Sequence, residues 1–137
     1  MPLSKTLISE DQLKVITGEL IKNTSATLNE KEVNGTIINN YGQTTDVTLT
    51  LPEAKQGMSF IVVLGTGVAK YFRIKANTNN KIYLNGVAGA LGGTIGIESA
   101  GAGCAISFVS FKTSENTYDW LAVAIYGDWD VVDLILQ

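Results

Sequence analysis

Four aspartates crowd the last fifth of the sequence, Asp119, Asp128, Asp130 and Asp133. Paired carboxylates can cleave glycosides, one protonating the leaving oxygen while the other attacks or activates water. Acids this dense could also hold calcium, yet no loop here has the spacing of an EF-hand. Asp119 lies in the strand-like run "YDWLAVAIY", on the opposite face from Trp120 and Ala122, while the other three fall in a turn and tail. The four therefore read as solvated acids. No histidine occurs anywhere, which removes His-containing triads, the usual zinc ligand sets and the commonest general base. "GTGVAK", from Gly65 to Lys70, imitates part of a dinucleotide fingerprint. It lacks the third glycine and leads into a strand, not a helix N-terminus that could hold phosphate, so it reads as a turn. Cys104, the single cysteine, sits among small and apolar residues and reads as a buried thiol acting as a small hydrophobe. No cofactor or metal is expected, and no catalytic residue is assigned.

The elements around these residues are mostly strands. Val47, Leu49 and Leu51 alternate with threonines, which gives one apolar and one hydroxyl-lined face. "MSFIVVL" is a continuous apolar strand, and in "KYFRIKA" Phe72, Ile74 and Ala76 oppose Tyr71, Arg73 and Lys75. "KIYL", the turn at Asn85-Gly86, a minimal strand at Ile95 and Ile97, "CAISFVSF" and "YDWLAVAIY" follow. About eight strands with close turns and no intervening helices predict a mainly β fold, an antiparallel β-sandwich or jelly roll. Tyr118, Trp120 and Tyr126 share one strand parity, with Trp129 just beyond. Exposed, they could stack on sugars; core packing is the reading preferred.

Before these strands, "ISEDQLKVITGELIKN" predicts a short N-terminal helix. Ser9 is its N-cap, Gln12 completes the capping box, Ile8 staples onto Leu13, and Leu13, Ile16 and Leu20 form the apolar stripe. Gly18 weakens such a helix by about 1 kcal/mol relative to alanine. "NTSATLNEKE" reads as a linker. The expected organisation is a helical arm and linker over residues 1–32, a β-sandwich over 33–130 and an apolar tail over 131–137.

Composition narrows the function classes. Hydrophobic residues make up 45% of the 137 and charged ones 17%, so disorder is not expected and the surface must be unusually neutral. Neutral surfaces belong to subunits that hide them against partners. The net charge is -3 with no basic run, which argues against nucleic acid. No apolar run approaches the roughly 20 residues that span a bilayer, and the start carries no signal-peptide pattern. Synthesis in a cytoplasm, with no membrane partner, is the expectation.

The run "GTIINNYGQTTDVTLTLPEAKQGMSFIVVLGTGVAKYFRIKA", then "KIYLNG" and "SFVSFKTSENTYDWLAVAIYGDW", resembles a β domain recurring in virion structural proteins of tailed bacteriophages. Such modules occur in head-decoration proteins and tail-fibre chains, and the likeness covers residues 35–129. It implies a β-sandwich acting as a multimeric virion component, with no enzymatic residues to carry over. With only a short helix and linker before the β domain, a free-standing subunit is expected over a fibre tip. The expectation is thus a capsid decoration, or cement, protein on the virion surface, made in the bacterial host's cytoplasm. It would be a homotrimer clamping the major capsid protein at local three-fold positions. Leu13, Ile16, Leu20, Val33, Ile37, Ile38, Val131, Val132, Leu134, Ile135 and Leu136 are the candidate subunit or shell contacts. The alternative is a tail-fibre or receptor-binding module gripping host-surface carbohydrate.

Overall fold

The computed structural model describes residues 18–132. Twelve strands lie among them: β1 (Gly18–Ile21), β2 (Ala26–Thr27), β3 (Asn34–Asn39), β4 (Val47–Thr50), β5 (Ser59–Val63), β6 (Val68–Lys75), β7 (Ile82–Leu84), β8 (Val87–Ala88), β9 (Thr94–Ala100), β10 (Ala105–Ser114), β11 (Thr117–Tyr126) and β12 (Asp130–Val132). They form a seven-stranded sheet in the order β1-β3-β5-β10-β11-β7-β8 and a five-stranded sheet in the order β12-β9-β6-β4-β2. The mainly β expectation holds, with more strands than the eight expected.

Both sheets are mixed, not antiparallel. From β1 to β6 the chain alternates strictly between them, so β1, β3 and β5 run parallel in one sheet and β2, β4 and β6 parallel in the other. A parallel neighbour needs a long crossover, ordinarily a helix. Here the crossover is a strand of the opposite sheet, and register offsets of 18 residues (Gly18 to Thr36) and 24 (Ile37 to Ile61) leave room for it. The sequence around β10 and β11 behaves as expected: a tight turn joins them antiparallel over ten residues each.

Period-2 alternation explains the core. Val47, Leu49 and Leu51 are buried, as are Phe72, Ile74 and Ala76 on β6 and just beyond it, while Arg73 and Lys75 point outward. Both sheets contribute to one buried cluster. At its centre Phe60 and Phe108 stack at 4.6 Å, and Trp120 meets both edge-on at 5.6 and 6.4 Å. Cys104 is a free, buried cysteine, as its apolar setting indicated. Asn85 and Gly86 both have positive φ, 51° and 92°, and form the hairpin turn between β7 and β8.

Two N-terminal expectations are corrected. Residues Gly18–Ile21 are a strand, not the end of a helix: they pair with β3, and their exposure alternates with a period of two. Leu20 sits opposite Ile38 on that strand, so pairing with an available edge outweighs helical spacing. Ser9, Gln12, Leu13 and Ile16 lie outside the described residues. The "linker" contains β2, a buried Leu28, and a 3-10 turn over Glu30–Val33. Asn29 caps that turn reciprocally with Glu32: its side chain accepts from the Glu32 amide while the Glu32 carboxylate accepts from the Asn29 amide. Lys22 adds an ion pair to Glu32, which ties the end of β1 to the turn. Polar side chains there make local bonds as well as meeting water, and that is why the stretch imitates a loop.

Candidate interaction surface

The two sheets present opposite kinds of outer face. Outward positions of the five-stranded sheet carry Arg73, Lys75 and Glu98; Arg73 lies 3.7 Å over the Tyr71 ring and 3.7 Å from Glu98. Outward positions of the seven-stranded sheet are almost free of charge. Across its width one register row reads Glu19, Ile37, Ile61, Ser107, Val123, from β1 to β11. The next row reads Ser59, Val109, Leu121, Tyr83, from β5 to β7. Their strand neighbours of opposite parity, Ile38, Phe60, Ile106, Phe108, Trp120 and Ala122, are fully or almost fully buried.

Apolar residues on this face stay in water. Ile61, Val109 and Val123 are 37%, 41% and 43% exposed, although each sits in mid-strand of a sheet that is ladder-bonded on both sides. Exposed β-branched residues grouped on two adjacent register rows make this face the candidate contact surface. Glu19 closes the face at the β1 edge. At the far corner Tyr83 and Phe111 meet edge-on at 5.1 Å, beside Asp119.

Asp119 corrects the reading of the four carboxylates as solvated. It is buried on β11, and its two oxygens accept from the Lys81 amide at 2.7 Å and the Thr113 hydroxyl at 2.6 Å. Both oxygens are spoken for structurally, and it pins β10, β11 and the residue leading into β7 together. Asp128 and Asp130 are exposed in the turn and strand that follow, and Asp133 lies outside the described residues. Among the described residues no group of three or more His, Cys, Asp or Glu could hold a metal ion.

The turn reading of "GTGVAK" is carried by its partners. Asn40, fully buried, brackets Thr66 by donating to its carbonyl at 3.0 Å and accepting from its amide at 3.1 Å. The Gly65 amide donates to Asn39 at 3.1 Å, and a Cβ on Gly65 would fall 2.3 Å from that same oxygen. Amides held this way are not free to cradle a phosphate. Sequence reading missed the Asn39-Asn40 pair; a doublet of asparagines ending an apolar strand was the available signal.

Aromatic parity breaks within β11. Ala105 pairs with Tyr126 but Ile106 with Ala124, so Ile125 is an extra residue in the ladder. Tyr126, past the extra residue, is therefore 70% exposed, whereas Trp120 before it and Trp129 beyond the strand are buried. The set does not form one stacking face.

Of the candidate contacts, Val33 and Ile38 are wholly buried in the core, which corrects their assignment as surface. Ile37 is half-buried on the charge-poor face, Leu20 is half-buried on β1, Val131 is exposed and Val132 half-buried on β12. Leu134, Ile135 and Leu136 lie outside the described residues. No family model matches the chain, and neither a curated protein nor a solved structure matches it.

Proposed function

We propose that the chain is a bacteriophage virion structural protein, a capsid decoration (cement) subunit that binds and stabilises the assembled head without catalysis. The observation that carries this reading is the charge-poor outer face of the seven-stranded sheet, with Ile61, Val109 and Val123 left in water. The motif resemblance to phage virion β domains supports it independently. In this reading the two sheets pack as a β-sandwich, and the charged face of the five-stranded sheet looks to solvent.

Neighbouring copies cover the apolar face within a homotrimer, and the major capsid protein is the second partner. Five strands at about 4.8 Å spacing and four residues at about 3.4 Å rise give that face a footprint of roughly 300 Å². A standard interface buries about 800 Å² per partner, so the face is the centre of a contact whose rim comes from loops and edges. The working principle is linkage: a subunit that binds only the assembled shell stabilises it by mass action. An alternative receptor-binding role would call for an exposed aromatic platform, and both tryptophans are buried. Sedimentation of the purified chain tests the proposal: a trimer at micromolar concentration is expected, and a monodisperse monomer would contradict it.

A further inference from the structure

The hairpin turn between β7 and β8 brings a nucleophile and an electrophile together in the open. Asn85 and Gly86 fill its two positions, both exposed and both at positive φ, 51° and 92°. In an asparagine-glycine pair the glycine amide can attack the carboxamide before it, because glycine has no Cβ to block the approach. The Gly86 amide has no hydrogen-bond partner among the described residues, and a Cβ on Gly86 would meet nothing within 4 Å. The Asn85 carboxamide is held by β11. Its Oδ1 accepts from the Ala124 amide at 3.0 Å, and the Asn85 backbone amide donates to the Ala122 carbonyl at 2.7 Å. These two bonds bracket Val123, so Asn85 stands at the edge of the charge-poor face.

A fixed amide donor at about 2.7–3.1 Å from an oxygen that becomes anionic is what an oxyanion hole supplies. The Ala124 amide is so placed toward Oδ1, the oxygen that gains charge when Cγ is attacked. We propose that Asn85 is a self-modifying site, converted to aspartate and isoaspartate through a succinimide that the turn itself forms. The Gly86 nitrogen loses its proton to solvent base and bonds to Cγ. The tetrahedral centre then collapses, and the bond to Nδ2 breaks to release ammonia, which takes its proton from solvent. Water opens the ring at either carbonyl, adding hydroxyl to carbon and hydrogen to nitrogen, so no oxidant or cofactor enters. Either product adds one carboxylate, which takes the net charge from -3 to -4. Aspartate keeps an acceptor for the Ala124 amide. Isoaspartate adds a carbon to the main chain, which a two-residue turn between the paired Leu84 and Val87 does not accommodate, so β8 should leave β7. This inference is independent of the virion role.

The chain carries its own control. Asn34 is also followed by glycine and is also exposed, but it opens β3 opposite Ser59, and no donor reaches its carboxamide among the described residues. Ageing the purified full chain, folded and at mildly alkaline pH, tests the proposal; peptide mass spectrometry then resolves asparagine, aspartate and isoaspartate at each position. Asn85 should convert first, into both products, about tenfold faster than Asn34 in the same molecules. An enzyme's oxyanion donor is worth about a hundredfold or more, and a single donor on a surface turn is assigned less. In urea the Ala124 donor is lost, and the two pairs should react at similar rates. The proposal is overturned by Asn34 keeping pace in the folded chain, by aspartate without isoaspartate, or by an Asn85 that reacts only once unfolded. Asn85→Gln, whose longer side chain closes a ring far less readily, should keep the β circular dichroism and abolish product at this turn. Isoaspartate persisting in that peptide would place the reaction at another residue and count against the site.

Discussion

Val123→Lys places a charge on the charge-poor face, at the β11 end of its register row, and should weaken self-association at least a hundredfold while leaving the protomer folded. Val123 is 43% exposed on β11, opposite Ser107, so a lysine there can stand in water without disturbing the core beneath. Surface changes of this kind alter protomer stability by about 0.5 kcal/mol or less. Fully burying a valine or isoleucine is worth about 1.5–3 kcal/mol, so covering the remaining two-fifths of Val123 contributes about 0.6–1.2 kcal/mol to a contact. Ile61 and Val109 add similar amounts, which makes the three about 2–4 kcal/mol per copy. Lysine removes its share and adds the cost of desolvating an ammonium or of splaying the contact, at least about 2 kcal/mol. The total of about 3 kcal/mol per contact predicts at least a hundredfold weaker association. Sedimentation velocity across a concentration series measures this, with Val123→Thr, nearly the same shape, as the milder partner. Unchanged association of Val123→Lys would remove this face from the assembly. A lysine variant that unfolds as a protomer would show instead that the position supports the core.

Asn80 is nearly fully buried and holds three segments, accepting from the Ala54 amide at 2.9 Å and donating to the Tyr118 carbonyl at 2.7 Å. Asn80→Ala strands both groups and should cost about 3 kcal/mol, lowering a urea midpoint by about 1.5 M at an m value near 2 kcal/mol/M. Asn80→Asp keeps the shape but turns an anionic oxygen toward the Tyr118 carbonyl, and should cost no less; a loss under about 1 kcal/mol in both would show the bonds are replaceable by water. Glu32 is held below the usual carboxylate value of 4.5, first by its hydrogen bond with Lys22 and also by the Asn29 amide. A depressed folded pKa contributes stability above the unfolded value and loses it as pH falls through the folded one. Wild type should therefore outlast Glu32→Gln in urea at pH 7, and the two should converge below the lowered folded value; a gap that persists in acid would assign the effect to shape.

The inward half of the fold was legible because period-2 alternation is a local property. Val47, Leu49, Leu51, Phe72, Ile74 and Ala76 all went where their parity sent them. What the sequence could not show was which sheet each strand joins. The alternation of β1 to β6 between two sheets depends on pairings 18 to 25 residues apart, as with Val47 and Phe72, and no turn chemistry marks them. Gly18 to Ile21 went wrong because Leu13, Ile16 and Leu20 fit a helical period while an edge of β3 was open to Gly18, Glu19, Leu20 and Ile21. Asp119 was misread for a different reason. Its acid looks solvated until the Lys81 amide, 38 residues away, is brought to it. Low charge content pointed to a charge-poor face somewhere on the molecule but not to its residues, since Ile61, Val109 and Val123 resemble core residues in any single strand.

The measurement that bears most directly on the proposed role is a count of this chain in purified virions by quantitative mass spectrometry, with heads and tails separated. We expect hundreds of copies per particle, all with the head fraction and in a fixed ratio to the major capsid protein. A handful of copies travelling with the tail, or none in the particle, would contradict capsid decoration.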